Sequence, residues 1–557
     1  MLSNDVEQQY SKETSIEHRK KFAQFFTPHQ IANLMAKWIC DDKDIKKILD
    51  PAFGLGVFSR AILDQRDDII IKGFEIDKNI FDKSQSLFSN NKNISIQLQD
   101  YMYNDWENKY DGIICNPPYF KFHDYDNKNV IREIEKKISC KLNGFTNLYT
   151  LFLLKSVYQL NKNGRAAYII PSEFLNSDYG KLVKSYLVKN RSLRHIVVIN
   201  FKENVFDDAL TTASILLFAN DDKLDSVRFS NVANLEDLNK IEKLISNYPD
   251  NVQTNQTVKF EQLDPEIKWR AYYQEQGSLK FKNLVPFARY GKVVRGIATG
   301  ANEYFTFNLS KMKKHNIQKK YLLPCICKAT DVKKLFFTQK DFEDLQTNDR
   351  AVFLINALNV ADDYVKKYLS LGEEQGIDKK FLTSSRTPWY SLENRPPAPI
   401  WISVFNRNGL RFIRNEAEIS NLTTFHCLYL NMFSVPKADL FFSYLLTDVS
   451  KEIFNDNRRE YGNGLQKFEP NDINKSKIVD LSMIDKDTEK IILKYYNLYR
   501  QSVIDCDPEE KFVKEINQIF LEKFTETNTE KLKGVLVKKI HPQPLFFESK
   551  QQIKFSF

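Results

Sequence analysis

The chain has 557 residues, 42% of them hydrophobic, and this length predicts two or three domains with buried cores. Lys and Arg exceed Asp and Glu by 81 − 72 = 9 residues, a mild positive charge that favours polyanionic partners without requiring one. Residues 1–15 lack the apolar core of a signal peptide and no apolar run approaches ~18 residues, so we expect a cytoplasmic protein without a membrane segment.

The N-terminal residues 1–20 are polar, and we interpret them as an extension ahead of the first domain. After them, Thr27 predicts a helix N-cap, Pro28 suits the first helical position, and Gln30 completes a capping box. Four apolar residues then follow at helical spacing: Ile31, Leu34, Met35 and Trp38. Taken alone, this segment predicts no more than a well-capped helix.

A strand, a glycine turn and a helix are predicted from residue 48 onward. Gly54 and Gly56 allow the backbone to approach a ligand closely. Glu75 follows the apolar run 69–71, 19 positions after Gly56, and an acid at this spacing can accept both hydroxyls of a ribose. The third glycine of the dinucleotide fingerprint is missing, which favours a mononucleoside ligand over NAD.

Two further apolar segments end in polar residues. Residues 94–98 precede Asp100, which suits either the amino group of an adenine ring or a simple helix cap. Residues 111–115 predict a buried strand that stops at Asn116-Pro117-Pro118-Tyr119, because proline cannot continue a sheet ladder. The sequence therefore displays a carboxamide, a rigid loop and an aromatic ring at the end of a strand, where open α/β sheets bind ligands.

The remaining chain divides by composition. Further strands at 166–170, 193–200 and 211–218 predict an α/β sheet of about seven strands within residues 20–220. Residues 221–260 are polar and are interpreted as a connection. Residues 260–480 interleave Arg and Lys with aromatic residues, as nucleic-acid surfaces do, although most such charges are simply solvated. Two amphipathic helices are predicted near 488–505 and 508–524.

The order of these motifs resembles the gamma-class N6-adenine DNA methyltransferases of type II restriction-modification systems. The resemblance implies a class I methyltransferase fold, an α/β Rossmann-like sheet of seven mostly parallel strands, with a C-terminal mixed α+β target-recognition domain. It implies S-adenosylmethionine as cofactor, bound by Phe26, Thr27, Pro28, Asp50, Ala52, Gly54, Gly56, Glu75, Ile76, Asp100, Tyr101 and Asn116.

The catalytic tetrapeptide of the family matches Asn116, Pro117, Pro118 and Tyr119. The Asn116 oxygen and the Pro117 carbonyl can each accept one hydrogen of an adenine amino group, so that its lone pair points at the methyl donor. Tyr119 would stack on the flipped base, and Phe206 is the best match for a second stacking residue.

The resemblance extends through residues 294–303 and 459–470, which are similar to stretches of such C-terminal domains. We predict an extension (1–20), a catalytic domain (21–255), a target-recognition domain (256–485) and a helical segment with a tail (486–557). The candidate contacts to double-stranded DNA are Arg295, Lys328, Arg386, Arg407, Arg411, Arg459 and Tyr461. No metal site is expected, because the close pair Cys325 and Cys327 lacks a matching second pair.

Alternatives stay open at this stage. The same tetrapeptide could act on RNA or on a protein glutamine, or the fold could be an inactive DNA-binding subunit. A cytosine amino group is also conceivable, although that chemistry usually goes with Ser at position 116. Only about 20 residues precede the first motif, so we expect no nuclease domain ahead of it. We expect a monomer on DNA, associated with the bacterial nucleoid, with or without a separately encoded endonuclease.

Overall fold

The computed structural model describes residues 5–120, 128–139, 141–142, 146–177, 179–199, 213–250, 256–274, 276–357, 362–393, 395–406, 409–460 and 466–526. The chain forms two compact units, one containing the described residues of 1–275 with Glu460, the other those of 276–459 and 465–532. In the ranges given, no helix has both the length and the apolar composition to cross a bilayer.

The first unit is built on a nine-stranded sheet, with strand order β3-β2-β1-β4-β5-β7-β6-β8-β9. The strands are β1 (Lys47–Asp50), β2 (Ile70–Glu75), β3 (Ile94–Leu98), β4 (Tyr110–Cys115), β5 (Leu160–Pro171), β6 (Leu193–Ile199), β7 (Ala213–Ala219), β8 (Ser226–Val232) and β9 (Thr257–Lys259). Strands β3, β2, β1, β4 and β5 pair in parallel, so their carboxyl ends meet at one edge. Strand β7 runs antiparallel to both of its neighbours.

Helices cover both faces of this sheet. They are α1 (Asp5–Glu13), α2 (Ile16–Lys21), α3 (His29–Cys40), α4 (Val57–Leu63), α5 (Lys78–Leu87), α6 (Lys128–Ile138), α7 (Leu148–Gln159), α8 (Glu173–Asn176), α9 (Gly180–Asn190) and α10 (Leu235–Ser246). Neighbouring strand residues alternate between two hydrophobic clusters: Leu49 and Ile113 belong to one, Ile48 and Ile114 to the other. The near-continuous apolar runs follow from this burial on both faces.

The sheet is larger than the sequence predicts. Residues 221–260, expected to be a polar connection, contribute β8, α10 and β9. Val227, Phe229 and Val232 are buried, while the intervening residues keep the segment polar on average. Strand β8 pairs with β6 within the sheet, and β9 is an edge strand of only three residues. Neither strand is evident from the average composition of the segment.

The predicted capping box at Thr27 is wrong. Helix α3 begins at His29 with Pro28 at the N-cap, and no side chain caps it. The Thr27 hydroxyl instead accepts a hydrogen bond from Asn116, so a tertiary contact takes the place of the local one. The buried face of α3 is as predicted, since Ile31, Leu34, Met35 and Trp38 are all inaccessible to solvent.

The polar N-terminal segment is helical and belongs to the first unit. Tyr10 of α1 is 2% exposed and packs in a small cluster with Leu55 and Ile80. Helix α2 contributes His18, whose Nε2 lies 2.7 Å from the Asp77 carboxylate just beyond β2. The N-terminal helices are therefore fixed against the carboxyl edge of the sheet.

The second unit contains smaller sheets. Its strands are β10 (Leu284–Pro286), β11 (Gly291–Arg295), β12 (Thr306–Phe307), β13 (Leu322–Ile326), β14 (Phe336–Phe337), β15 (Phe353–Ile355), β16 (Ile400–Ser403), β17 (Phe405–Asn406), β18 (Phe412–Asn415), β19 (Ser420–Asn421), β20 (Phe425–Leu430), β21 (Arg459–Glu460), β22 (Gln466–Lys467) and β23 (Lys477–Val479). The largest sheets have the orders β11-β20-β16-β18-β14 and β12-β15-β13-β19.

Helices surround these sheets. They are α11 (Asn302–Phe305), α12 (Leu309–Lys314), α13 (Gln339–Thr347), α14 (Asp363–Glu374), α15 (Ala438–Leu446), α16 (Asp448–Asn455), α17 (Pro470–Asn474), α18 (Lys486–Ile504) and α19 (Glu510–Phe524). Short 3₁₀ helices span Gly277–Lys280, Phe287–Arg289, Lys319–Tyr321, Ala329–Asp331, Val435–Lys437 and Leu481–Met483 in this unit, and Phe260–Gln262 and Trp269–Tyr272 in the first unit. Tyr496 and Phe520, from the last two helices, are buried in the core of this unit, so these helices are part of it.

Candidate active site

Asn116 lies directly after β4, with its side chain held by two acceptors. Its Nδ2 donates to the Phe25 carbonyl at 2.8 Å and to the Thr27 hydroxyl at 3.0 Å. A backbone carbonyl can only accept, so the nitrogen must face Phe25. The Asn116 Oδ1 is buried and accepts no hydrogen bond from the described residues. The carboxamide is thus oriented before any ligand arrives, and its oxygen still lacks a hydrogen-bond donor among the described residues.

The residues after Asn116 form the rest of the predicted tetrapeptide. Pro117 is buried and Pro118 partly exposed. The Tyr119 ring stacks against Phe25, with ring centres 6.0 Å apart, and meets Tyr149 edge-on at 6.1 Å. Its hydroxyl donates to the Ile169 carbonyl at 3.3 Å, and burial raises its pKa well above the usual value. The phenol is therefore neutral and serves as a fixed ring.

The glycine turn between β1 and α4 is clamped to the end of β2. The Gly54 amide donates to Glu75 Oε2 at 2.9 Å, and the amides of Ile76 and Asp77 donate to Oε1. Burial raises the Glu75 pKa, and these three N–H groups oppose that shift. Gly54 has φ +54° with no heavy atom within 4 Å of a notional Cβ, so its outer side is open.

Gly56 is required for a different reason. Its φ is +75°, and a Cβ would lie 2.4 Å from the Phe88 ring and 2.9 Å from that of Phe53. Any larger residue would be both strained and overpacked here. The sequence predicts the same role for both glycines, but the structure distinguishes them: Gly54 lines the cavity and is open there, whereas Gly56 allows close packing under the turn.

Asp50, at the end of β1, is fully buried. One oxygen accepts a long hydrogen bond of 3.4 Å from the Ala52 amide, and Oδ2 has no partner among the described residues. Burial raises the Asp50 pKa to about 8. A buried carboxyl with an open oxygen is suited to receive a hydrogen-bond donor or a cation.

Asp100 and Tyr101 lie on the loop after β3. Asp100 Oδ1 accepts from the Met102 amide at 2.8 Å, which closes a local turn. Tyr101 is buried, and its hydroxyl contacts Ser156 and Gln159 of α7. The buried Lys155 donates to the carbonyls of Tyr101 and Asn104, so α7 holds this loop in place.

A cavity of about 300 Å³ brings most of the predicted cofactor residues together. The predicted residues that line it are Phe26, Thr27, Ala52, Gly54, Glu75, Ile76, Asp100, Tyr101 and Asn116, with Pro118 of the tetrapeptide. Pro28, Asp50, Gly56, Pro117 and Tyr119 lie adjacent in sequence to lining residues without lining the cavity themselves.

The other lining residues are not among the site residues that the sequence predicts. They are Glu7, Lys21, Phe22, Ala23, Gln24, Phe25, Pro51, Phe53, Leu55, Val57, Phe58, Phe74, Ile80, Gln99, Phe120, Leu148 and Phe152. Gln99 and Phe120 immediately adjoin predicted residues, a signal that could have found them. Glu7 lies in the polar extension, where the sequence offers no signal.

The remaining predicted contacts either lie outside the described residues, are exposed at the surface, or bind backbone carbonyl groups. Phe206, Arg407 and Tyr461 lie outside the described residues, as does the side chain of Arg459. Arg295 is 65% exposed at its side chain and pairs with Glu469 at 2.8 Å, and Lys328 is exposed.

Two of the predicted arginines bind backbone carbonyl groups. Arg386 donates to Ala298 and Thr299, and Arg411 to residues 332–334. Burial lowers the pKa of Arg411. The donors of both guanidinium groups are therefore at least partly used within the second unit.

Two family models match the chain. Residues 8–263 match the N-6 DNA Methylase model, and residues 274–510 match the model of the C-terminal domain of type II methyltransferase M.Eco57I. The division between the two matches falls close to the observed boundary at residue 275.

Individual relatives cover nearly the whole chain. Type II methyltransferase M.AccI of Acinetobacter calcoaceticus is 62% identical over 94% of this chain and 98% of its own length. Type II methyltransferase M.XamI of Xanthomonas campestris pv. amaranthicola is 23% identical over 82% of this chain and 85% of its own length.

A solved structure, that of the type IIL restriction-modification enzyme MmeI in complex with DNA, has a similar fold. The TM-score is 0.52 at 12% identity, covering 96% of this chain and 76% of the other.

Proposed function

The chain belongs to the type II N-6 adenine DNA methyltransferases of restriction-modification systems, and we propose that the cavity beside Asn116 binds S-adenosylmethionine, whose methyl group is transferred to the amino group of a flipped adenine. The observation that carries this proposal concerns Asn116 Oδ1. This buried oxygen accepts no hydrogen bond from the described residues, and its orientation is fixed by the two hydrogen bonds that Nδ2 of the same side chain donates. A buried acceptor without a donor costs about 1–3 kcal/mol, which a ligand's amino group would offset.

The cavity residues fit a nucleoside that carries a charged tail. Glu75 can accept a further hydrogen bond from a ribose hydroxyl, and Asp100, which also lines the cavity, would accept one from the adenine amino group of the cofactor. Asp50 adjoins the lining residue Pro51 and has a carboxyl oxygen without a partner among the described residues, and an ammonium group that reached it from the cavity would lower its raised pKa. When bound, S-adenosylmethionine supplies an electrophilic methyl group.

Asn116 and Pro117 would prepare the nucleophile. The lone pair of an adenine amino group is delocalised into the ring, so the nitrogen attacks poorly. If the amino group donates one hydrogen bond to the Asn116 Oδ1 and one to the Pro117 carbonyl, its nitrogen becomes more pyramidal and its lone pair is freed from the ring. Because the acceptors are positioned in advance, the rate comes from orientation and electrostatics without a strong base.

Tyr119 would hold the plane of the extruded base. Its ring is fixed by Phe25 and Tyr149, and its hydroxyl is anchored on β5. Base-aromatic stacking contributes about 1–3 kcal/mol. The second unit would read the DNA site, with Arg295 and Lys328 exposed for phosphate contacts. We infer a monomer acting on duplex DNA in the bacterial cytoplasm.

The test is the substitution Asn116→Ala, with Asn33→Ala, at a partly exposed position of α3 that does not line the cavity, as a matched control. We expect N116A to bind S-adenosylhomocysteine in calorimetry within a few-fold of wild type and to lose methyl transfer by at least ~10²-fold. Expression in a methylation-free host followed by modification-sensitive sequencing would report the modified base and its sequence context. Full transfer by N116A would contradict the proposed role, and transfer to RNA or protein alone would contradict DNA as the substrate.

A further inference from the structure

Glu7 is a buried carboxylate in the wall of the proposed cofactor cavity. It lies on α1, is 2% exposed, and lines the same cavity as Gly54 and Glu75. Its Oε1 pairs with the guanidinium of Arg60, while Oε2 is buried with no hydrogen-bond partner among the described residues. A carboxylate in this state requires a further donor to be satisfied.

The position of Glu7 is set by the glycine turn. Arg60, its ion-pair partner, donates its other terminal nitrogen to the Leu55 carbonyl at 2.7 Å. The preceding residue, Gly54, donates its amide to Glu75. Glu7 and Glu75 are therefore tied to consecutive residues of one turn. Tyr10, further along α1, packs on Leu55 and keeps the helix in this place.

Glu75 has limited capacity for a ribose. A carboxylate offers about four acceptor sites, and the amides of Gly54, Ile76 and Asp77 already occupy three on Glu75. A ribose presents two hydroxyl donors, so one of them lacks an acceptor on Glu75. Glu7 lines the same cavity and is tied to the same turn through Arg60, and its Oε2, which has no donor among the described residues, offers a second acceptor.

We propose that Glu7 is a cofactor-binding residue that accepts a hydrogen bond from one ribose hydroxyl of S-adenosylmethionine, sharing the ribose with Glu75. This rests on the proposed function of the cavity. It assigns to the N-terminal extension a direct part in cofactor binding, because α1 supplies a ligand in addition to covering the turn.

The test compares Glu7→Gln with Glu13→Gln, an exposed position on the same helix that pairs with Lys83. Dissociation constants for S-adenosylhomocysteine and its 2′-deoxy and 3′-deoxy analogues would be measured by calorimetry with the full chain, and melting temperatures without ligand. We expect E7Q to bind S-adenosylhomocysteine about 10- to 100-fold more weakly, as for one hydrogen bond to a charged group, and E13Q within about twofold of wild type.

The deoxy analogue that lacks the contacted hydroxyl should bind wild type and E7Q equally. If E7Q binds S-adenosylhomocysteine as tightly as wild type, Glu7 is no ligand. If E7Q weakens all three compounds by the same factor, Glu7 contacts another group and the ribose assignment is wrong. If E7Q does not fold, Glu7→Asp, which withdraws the carboxylate by one methylene, gives the same comparison. Failure of the wild type to bind S-adenosylhomocysteine would overturn the proposed function instead.

Discussion

Replacing Thr27 by Val should slow methyl transfer by loosening Asn116. The change is nearly isosteric and removes only the hydroxyl that accepts from Asn116 Nδ2 at 3.0 Å, while the 2.8 Å bond to the Phe25 carbonyl stays. One neutral hydrogen bond contributes about 0.5–1.5 kcal/mol. We therefore expect the single-turnover rate constant for methyl transfer at saturating cofactor to fall about 2- to 10-fold, since 1.4 kcal/mol corresponds to a factor of ten.

The assay is single-turnover transfer of a radiolabelled methyl group to duplex DNA, with cofactor affinity measured separately because Thr27 also lines the cavity. Thr27→Ser, which keeps the hydroxyl, is the matched control and should stay close to wild type. If T27V transfers at the wild-type rate, the hydroxyl does not position Asn116. If T27S, which retains the hydroxyl, is impaired as strongly as T27V, loss of this hydrogen bond does not account for the slower transfer.

Two further substitutions test local physical chemistry. Ala23 has φ +50°, a left-handed conformation that costs an L-residue about 1 kcal/mol. Ala23→Gly should therefore raise the free energy of unfolding by up to ~1 kcal/mol, measured by urea denaturation. A decrease would refute strain at this position. Burial raises the Asp50 pKa from its ordinary value of 3.8 to about 8 in the folded state, so the folded state binds the extra proton and ligand-free stability should fall as pH rises from about 4 to 8. Asp50→Asn should flatten this dependence in melting curves recorded across that range; equal slopes for both proteins would show that Asp50 is ionised or solvated.

Much of the site follows from the sequence because it depends on strand ends. The apolar runs before Glu75, Asp100 and Asn116 predict parallel strands, and parallel strands place their carboxyl ends at one edge. The cavity brings these three residues together as expected. The runs before Glu75 and Asn116 are largely buried and apolar, whereas the run before Asp100 is the partly exposed edge strand β3, in which apolar residues alternate with polar ones.

The parts that could not be predicted depend on contacts between distant segments. Thr27 has every local feature of an N-cap, yet its hydroxyl binds a carboxamide 89 residues away. Glu7 lies in a polar stretch, yet it is buried in an ion pair with Arg60, 53 residues away in sequence. Arg411 has the composition of a DNA contact, but three backbone carbonyl groups accept from it. In each case a local rule offered one partner and the tertiary structure supplied another.

The fixed orientation of Asn116 has a consequence for damaged DNA. Because Nδ2 is already committed to Phe25 and Thr27, the side chain cannot turn to present a donor without losing both bonds. Hypoxanthine, the product of adenine deamination, carries a carbonyl oxygen where adenine has its amino group. At this site that oxygen would face two acceptors, so a deaminated position should be rejected by repulsion, even though its shape is almost unchanged.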